Sequence, residues 1–190
     1  MRTNGKKIHS LAVCALFSSC LCALSPIAIP IGPVPLSLGL LGVLLIGAVL
    51  GPVRGAVSVL VFLLLGLCGL PIYGGGQSGA MVLVGPTGGF LWGYLLCVLI
   101  TGALCSWVRK HLLKIPLAFK IILACLLGTL ACYACGVLQY VLLTKTSFFI
   151  ALAVCVYPFI LFDLCKMIAV SFLGERLYRI LQQHGVVNQT

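Results

Sequence analysis

The chain has 190 residues, 62% of them hydrophobic and 7% charged, and a net charge of +10 from twelve Lys and Arg against two acids. A soluble domain carries roughly a quarter of its residues charged, so a mean hydropathy of +1.26 excludes water as the main solvent. The basic residues sit at the ends of apolar runs, where they set membrane orientation and do not read as a nucleic-acid surface.

A spanning helix needs about 20 residues, so this length accommodates about six spans in a single membrane domain, 1–190. The runs are continuously apolar and do not alternate, which rejects a β-barrel. The expectation is an all-α polytopic membrane protein of six transmembrane helices.

A basic N-terminal tail, 1–10, carries Arg2, Lys6 and Lys7. The first apolar run comes next, at about 11–29. Its layout is that of a secretory signal peptide, but it reaches span length and no clean small-residue cleavage site succeeds it. It is read as the first transmembrane helix. Within it Ala15, Ser19 and Ala23 recur at four-residue spacing, a pattern that lets membrane helices approach closely. Those small residues suit either internal packing or the docking of a partner.

Helix two covers about 36–51 and helix three about 54–70, with the Gly51-Pro52 turn between them. A charge-free, glycine-rich interruption extends from Pro71 to Gly79. Helix four runs about 85–107, a basic hinge contains Arg109, Lys110, His111 and Lys114, and helix five covers about 117–143. The last apolar stretch has two readings. One is a single long helix from Ser147. The other is a short segment to Tyr157, with Pro158 opening the final helix where a proline costs no hydrogen bond. The second is preferred because it puts Asp163 only about 8 Å below the helix start at ~1.5 Å per residue. The six helices then occupy about 11–175, ahead of a C-terminal tail at about 176–190.

The positive charges orient this arrangement. The N-terminus, the Arg54 turn, the Arg109–Lys120 hinge and the Arg176–Arg179 tail fall on one side, so both termini are expected in the cytoplasm of a cell-membrane protein. The other connections hold no Lys or Arg except Lys145.

Eleven cysteines are present, mostly inside apolar runs, where Cys acts as a small apolar filler. Cys132 and Cys135 form a C-x-x-C, but no second pair or neighbouring ligand accompanies it, so no metal is expected. His9, His111 and His184 all fall in basic segments or tails, away from Asp163, and no catalytic triad or HExxH is present. The glycine-rich loop lacks the Gly-Lys-Ser/Thr ending of a phosphate cradle. No enzymatic activity and no cofactor are expected, and any energy source must come from another protein.

Of the two acids, Glu175 reads as an interfacial charge beside Arg176. Asp163 is different. A charge within the bilayer costs about 2.5–3.5 kcal/mol on insertion scales, which makes an intramembrane acid a functional candidate. Lys166 lies at i+3, on the same helix face. The pair is either a self-neutralising structural contact or the polar end of a ligand pocket. Irregular backbone at membrane depth is tolerated only against protein or a watery cavity, so the loop from Tyr73 to Gly89 either lines that pocket or lies at the surface.

The residues at this point resemble the BioY family, the substrate-binding S component of energy-coupling factor (ECF) biotin transporters. The likeness runs through Pro33-Val34-Pro35, Leu50-Gly51-Pro52-Val53-Arg54-Gly55-Ala56, Leu64-Leu65-Gly66-Leu67-Cys68-Gly69-Leu70-Pro71, Gly74-Gly75-Gly76, Gly85-Pro86-Thr87-Gly88-Gly89-Phe90, and Pro158-Phe159 with Asp163-Leu164-Cys165-Lys166. The resemblance implies an ECF S-component-like bundle with biotin bound toward the outer face. It also implies docking through the small residues of helix one onto a membrane coupling protein driven by two ATPase subunits. One departure stands out. Where the family commonly has Gln after its Val-Pro run, this chain has Gly39, while Ser37 keeps a hydroxyl.

On that resemblance Asp163 and Lys166 meet the ureido group and the carboxylate of biotin, in either order. Gly75, Gly76, Gln77, Ser78, Thr87 and Gly88 supply further polar contacts, and Tyr73, Phe90, Trp92 and Tyr157 are candidates for the apolar wall. Biotin enters as the transported ligand, not as a cofactor. Another vitamin such as thiamine, a small intramembrane enzyme and a structural scaffold are the competing readings.

Overall fold

The computed structural model describes residues 2–31, 34–110 and 116–183. Pro33, His111, Lys114 and residues 184–190 lie outside them. The first helix, α1 (Arg2–Leu24), begins inside the segment read as a basic tail and stops earlier than expected. Pro26 and Pro30 explain the stop, because neither can donate an N–H to a continuing helix.

The helical bundle expected from hydropathy carries one addition, a short β-hairpin. Strands β1 (Ala28–Ile31) and β2 (Val34–Ser37) pair antiparallel, with Ala28 opposite Ser37 and Pro30 opposite Pro35. Every strand of a two-stranded ribbon has an unpaired edge, so proline is tolerated in both. This hairpin takes the place of the first turn of the expected second helix and carries the chain into α2 (Gly39–Leu50).

α2 is the centre of the bundle and is buried nearly all round, as a helix without a polar face must be. It ends at Gly51, whose φ of 78° lets its N–H bond back to the Gly47 carbonyl. Pro52 then opens α3 (Pro52–Leu67), where its missing N–H costs nothing. The glycine-rich interruption becomes a 3₁₀ turn (Gly74–Gly76) and a short helix, α4 (Ala80–Val84). Two long helices come next, α5 (Gly88–Lys110) and α6 (Leu117–Thr144). The chain closes with α7 (Phe148–Cys155) and α8 (Tyr157–Gln183). The break between α7 and α8 matches the reading with Pro158 at the start of the final helix.

Among the described residues α5, α6 and α8 are long and apolar enough to cross a membrane, and three shorter apolar helices (Ile8–Leu24, Gly39–Leu50, Pro52–Leu67) complete the bundle. Its outer face is apolar: Leu142, Leu161 and Phe172 are all more than 60% exposed, which only lipid tolerates on this scale.

Lipid tails remove the hydrophobic drive between helices, so close backbone approach must supply the packing. The α5–α6 seam shows how. A Cβ on Gly128 would stand 2.1 Å from Thr101 Oγ1, and one on Gly136 would stand 2.3 Å from the Phe90 ring.

Tyr73 anchors the loop between α3 and α4. Its ring is fully buried and edge-on to Phe62 at 5.6 Å. Its hydroxyl donates to the Leu63 carbonyl at 2.6 Å. Removing that buried bond by Tyr73→Phe is expected to cost about 1–2 kcal/mol. A lowered thermal midpoint of the detergent-solubilised protein reads it out.

Candidate ligand-binding site

Asp163 and Lys166 project from one face of α8 and are both buried, with side chains 5% and 8% exposed. Lys166 Nζ donates to Asp163 Oδ1 at 2.8 Å and to the Ser37 carbonyl at 2.9 Å. The Tyr133 hydroxyl of α6 donates to Asp163 Oδ2. The pair is therefore tied to the end of β2 on one side and to α6 on the other.

The arrangement leaves capacity unused. An ammonium has three donors, and two are engaged by Asp163 and Ser37. A carboxylate offers about four lone-pair sites, against the two donors that reach Asp163. The unit can still accept from N–H groups and donate to one oxygen. A ligand with a ureido or amide head fits that chemistry.

The pair opens onto a cavity of about 60 Å³ walled by β2, Phe90, Tyr94, Tyr133, Cys155 and Phe159. A second cavity of about 50 Å³ lies beside it, reaching Tyr73, Gly74, Gln77 and Thr87. Val34, Pro35, Ser37, Phe90 and Tyr94 line both. A wider, open recess of about 700 Å³ with a mixed polar and apolar lining lies across Gly76, Gln77, Ser78, Met81, Thr87 and Tyr140.

A model of the BioY family matches residues 1–183. The chain belongs to the BioY family. It is 38% identical over 175 residues to biotin transporter BioY2 of Lactococcus lactis subsp. cremoris, a match covering 92% of this chain and 93% of that one. It is 36% identical over 181 residues to a biotin transporter BioY of Rhodobacter capsulatus, covering 89% and 93%. Among solved structures it is similar to the S-component for biotin from an ECF-type ABC transporter, with a TM-score of 0.84 and 28% identity, covering 93% of this chain and 94% of that one.

In this BioY family chain the residues singled out from sequence divide into three groups. Asp163, Lys166 and Phe90 meet at the first cavity, and Tyr73, Gln77, Thr87 and again Phe90 at the second. Gly76 and Ser78 line the outer recess, and Gly75 is exposed with a φ of 74°.

The remaining residues stand elsewhere. Tyr157 is 64% exposed and lines neither cavity. Six residues at about 100° each put it about 120° round α8 from Asp163, off the cavity face. Phe159, four residues before Asp163 and on its face, takes that place. Trp92 faces outward across an apolar groove between α5 and α6. Gly88 is a packing position, since a Cβ there would fall 1.9 Å from the Leu83 carbonyl oxygen. Ala15, Ser19 and Ala23 lie on the exposed face of α1, where Ser19 Oγ donates to the Ala15 carbonyl.

The reading from sequence missed Tyr133, Tyr94, Cys155 and the wall made by β2. Tyr133 carried one usable signal. A phenol in the middle of an apolar span requires a hydrogen-bond partner, and Asp163 is the acid at membrane depth.

Proposed function

We propose that this chain is the substrate-binding membrane subunit of a biotin uptake transporter, and that biotin sits against the Asp163–Lys166 pair between β2, α5, α6 and α8. The observation that carries the site is the buried ion pair with unused donor and acceptor capacity facing a cavity. The ligand's identity rests on the family and on relatives that are biotin transporters along nearly their whole length. Biotin offers two ureido N–H donors, one carbonyl, an apolar thioether ring and a carboxylate tail. Asp163 accepts from the ureido N–H groups, while Lys166 retains a donor for a ligand oxygen.

Ligand pockets hold roughly 300 Å³ or more, whereas the two cavities offer about 60 and 50 Å³. Biotin therefore needs the shared partition of β2 and Phe90 to move aside, joining the cavities into one. The outer recess at Gly76, Gln77 and Ser78 lies on the entry route.

The function is transport, not catalysis. The S-component to which the chain is similar comes from an ECF-type ABC transporter, which supports an ECF module as partner, with a membrane coupling protein and two ATPase subunits. The exposed face of Ala15, Ser19 and Ala23 on α1 is the proposed docking surface. Arg54, Arg109, Lys110, Lys120, Arg176 and Arg179 cluster at the helix ends assigned to the cytoplasm, which supports both termini on that side.

Equilibrium binding of labelled biotin, with thiamine as competitor, tests this reading. Biotin should saturate the protein at micromolar concentration or below, and thiamine should fail to displace it. Displacement by thiamine, or recovery of a chemically altered ligand, would assign the chain to another vitamin or to an enzyme.

Gln139 gives a further check. Its Nε2 donates to the Leu83 carbonyl at 3.0 Å and the Gly85 carbonyl at 2.7 Å, fixing the turn that presents Thr87. Gln139→Leu leaves both carbonyls without that donor and frees the turn. The dissociation rate of labelled biotin is expected to rise roughly three- to tenfold, the equivalent of about one neutral hydrogen bond.

A further inference from the structure

Gly39, at the start of α2, is surrounded by oxygen. A Cβ built there would lie 2.8 Å from the Tyr94 hydroxyl, 2.9 Å from Ser25 Oγ and 3.1 Å from Ser37 Oγ. Three hydroxyls, from the end of α1, the end of β2 and the middle of α5, thus converge on the space that a side chain would fill. Tyr94 and Ser37 line both cavities. Ser25 stands behind them, fully buried, and its Oγ has no hydrogen-bond partner among the described residues. The Tyr94 and Ser37 hydroxyls are 3.4 Å apart, and Ser37 Oγ also accepts from the Gly39 N–H.

A buried hydroxyl without a partner is costly, so the orphaned Ser25 Oγ beside two cavity-lining hydroxyls points to a missing partner. The proton inventory says what that is. Each hydroxyl offers one donor and two acceptor sites. The Gly39 N–H fills one acceptor site on Ser37, and the Tyr94 hydroxyl, held to Ser37 only at a long 3.4 Å, has a hydrogen to give into the cavity. The Asp163 carboxylate across the same cavity is an acceptor and suits the N–H side of a ligand. A cyclic urea presents both needs at once, N–H on its flanks and a carbonyl between them.

We infer that the Tyr94 hydroxyl is a ligand-binding donor for the carbonyl oxygen of the ligand's ureido ring, and that Ser25 and Ser37 position it. This rests on the biotin reading of the cavity and deepens it. Gly39 is the specificity-determining position, because any side chain there displaces Tyr94.

The test is equilibrium binding of biotin and of 2-iminobiotin, in which an imine replaces the ring carbonyl, to the full-length protein. Tyr94→Phe, Gly39→Ala, their double variant and Ser25→Ala are compared with wild type. Tyr94→Phe should weaken biotin roughly tenfold, or about 1.4 kcal/mol, while changing 2-iminobiotin less than threefold. Gly39→Ala should weaken biotin by a similar factor. The double variant should be no weaker than the worse single, because both changes remove the same hydroxyl from the ligand. Ser25→Ala should weaken biotin by a smaller factor with the thermal midpoint unchanged or raised. Biotin affinity unchanged in Tyr94→Phe, equal losses for both ligands, or additive losses in the double variant would overturn the inference and leave the biotin reading standing. A wild-type protein that binds no biotin would overturn both.

Discussion

Lys166→Met, with Asp163 left in place, is expected to abolish biotin binding and to lower the stability of the folded protein by roughly 3–5 kcal/mol, the range for stranding one partner of a buried ion pair. The cause is local. Asp163 would keep only the Tyr133 hydroxyl as a donor, and the Ser37 carbonyl would lose its contact with α8. The converse change, Asp163→Asn, leaves the ammonium without a counter-charge and is expected to abolish binding with a smaller loss of stability, since an amide oxygen still accepts from Lys166 and Tyr133.

The double variant Asp163→Asn with Lys166→Met separates binding from folding. With no charge left buried, most of the stability should return, because replacing both members of such a pair by neutral groups is often close to neutral. Ligand binding should not return. Thermal unfolding in detergent beside equilibrium biotin binding resolves the two effects. Recovery of both in the double variant would make the pair a structural contact only.

The second large effect lies at the α5–α6 seam. Gly89→Leu is expected to prevent the native bundle from assembling. A Cβ at Gly89 would stand 2.4 Å from the Cys135 carbonyl oxygen and 2.8 Å from Gln139 Cβ. A backbone carbonyl inside a helix cannot swing away, so the two helices must separate. Overpacking in cores typically costs about 1–3 kcal/mol and more where backbone must shift, so a loss above about 3 kcal/mol is expected. Separation would also displace Phe90, whose ring lies against Gly136 and walls both cavities. Gly174→Ala is the matched control. Its Cβ would meet Ala48 Cβ at 3.4 Å, an ordinary contact, and the variant should fold and bind normally. The monodisperse fraction on size-exclusion chromatography measures both variants.

The long helices were legible because their signal is cumulative. α6 was expected at about 117–143 and runs Leu117–Thr144, and the Gly51-Pro52 turn falls where glycine and proline place it. Pro158 announced the start of α8. The β-hairpin was not legible from hydropathy, since Ile, Val and Leu are as apolar in a strand as in a helix. The spaced prolines at 26, 30, 33 and 35 were the local warning, and tertiary context then decided in favour of paired strands.

The site was half legible for a related reason. Asp163 and Lys166 are anomalous in any apolar helix and declare themselves. Tyr94 and Tyr133 are ordinary residues until the packing of α5 against α2 and α6, and of α6 against α8, brings their hydroxyls to the cavity. Gly88, expected beside the ligand, and its neighbour Gly89 are points of close packing, against the Leu83 carbonyl and against α6. Tyr157 had the right composition and the wrong helical angle.

The central claim, that the Asp163–Lys166 cavity binds biotin, is tested most directly by titrating purified full-length protein in detergent or nanodiscs with labelled biotin. Saturable binding of one biotin per chain at micromolar concentration or below is predicted, together with its loss in the folded Asp163→Asn, Lys166→Met double variant. No binding by wild type, or undiminished binding by the double variant, would contradict it.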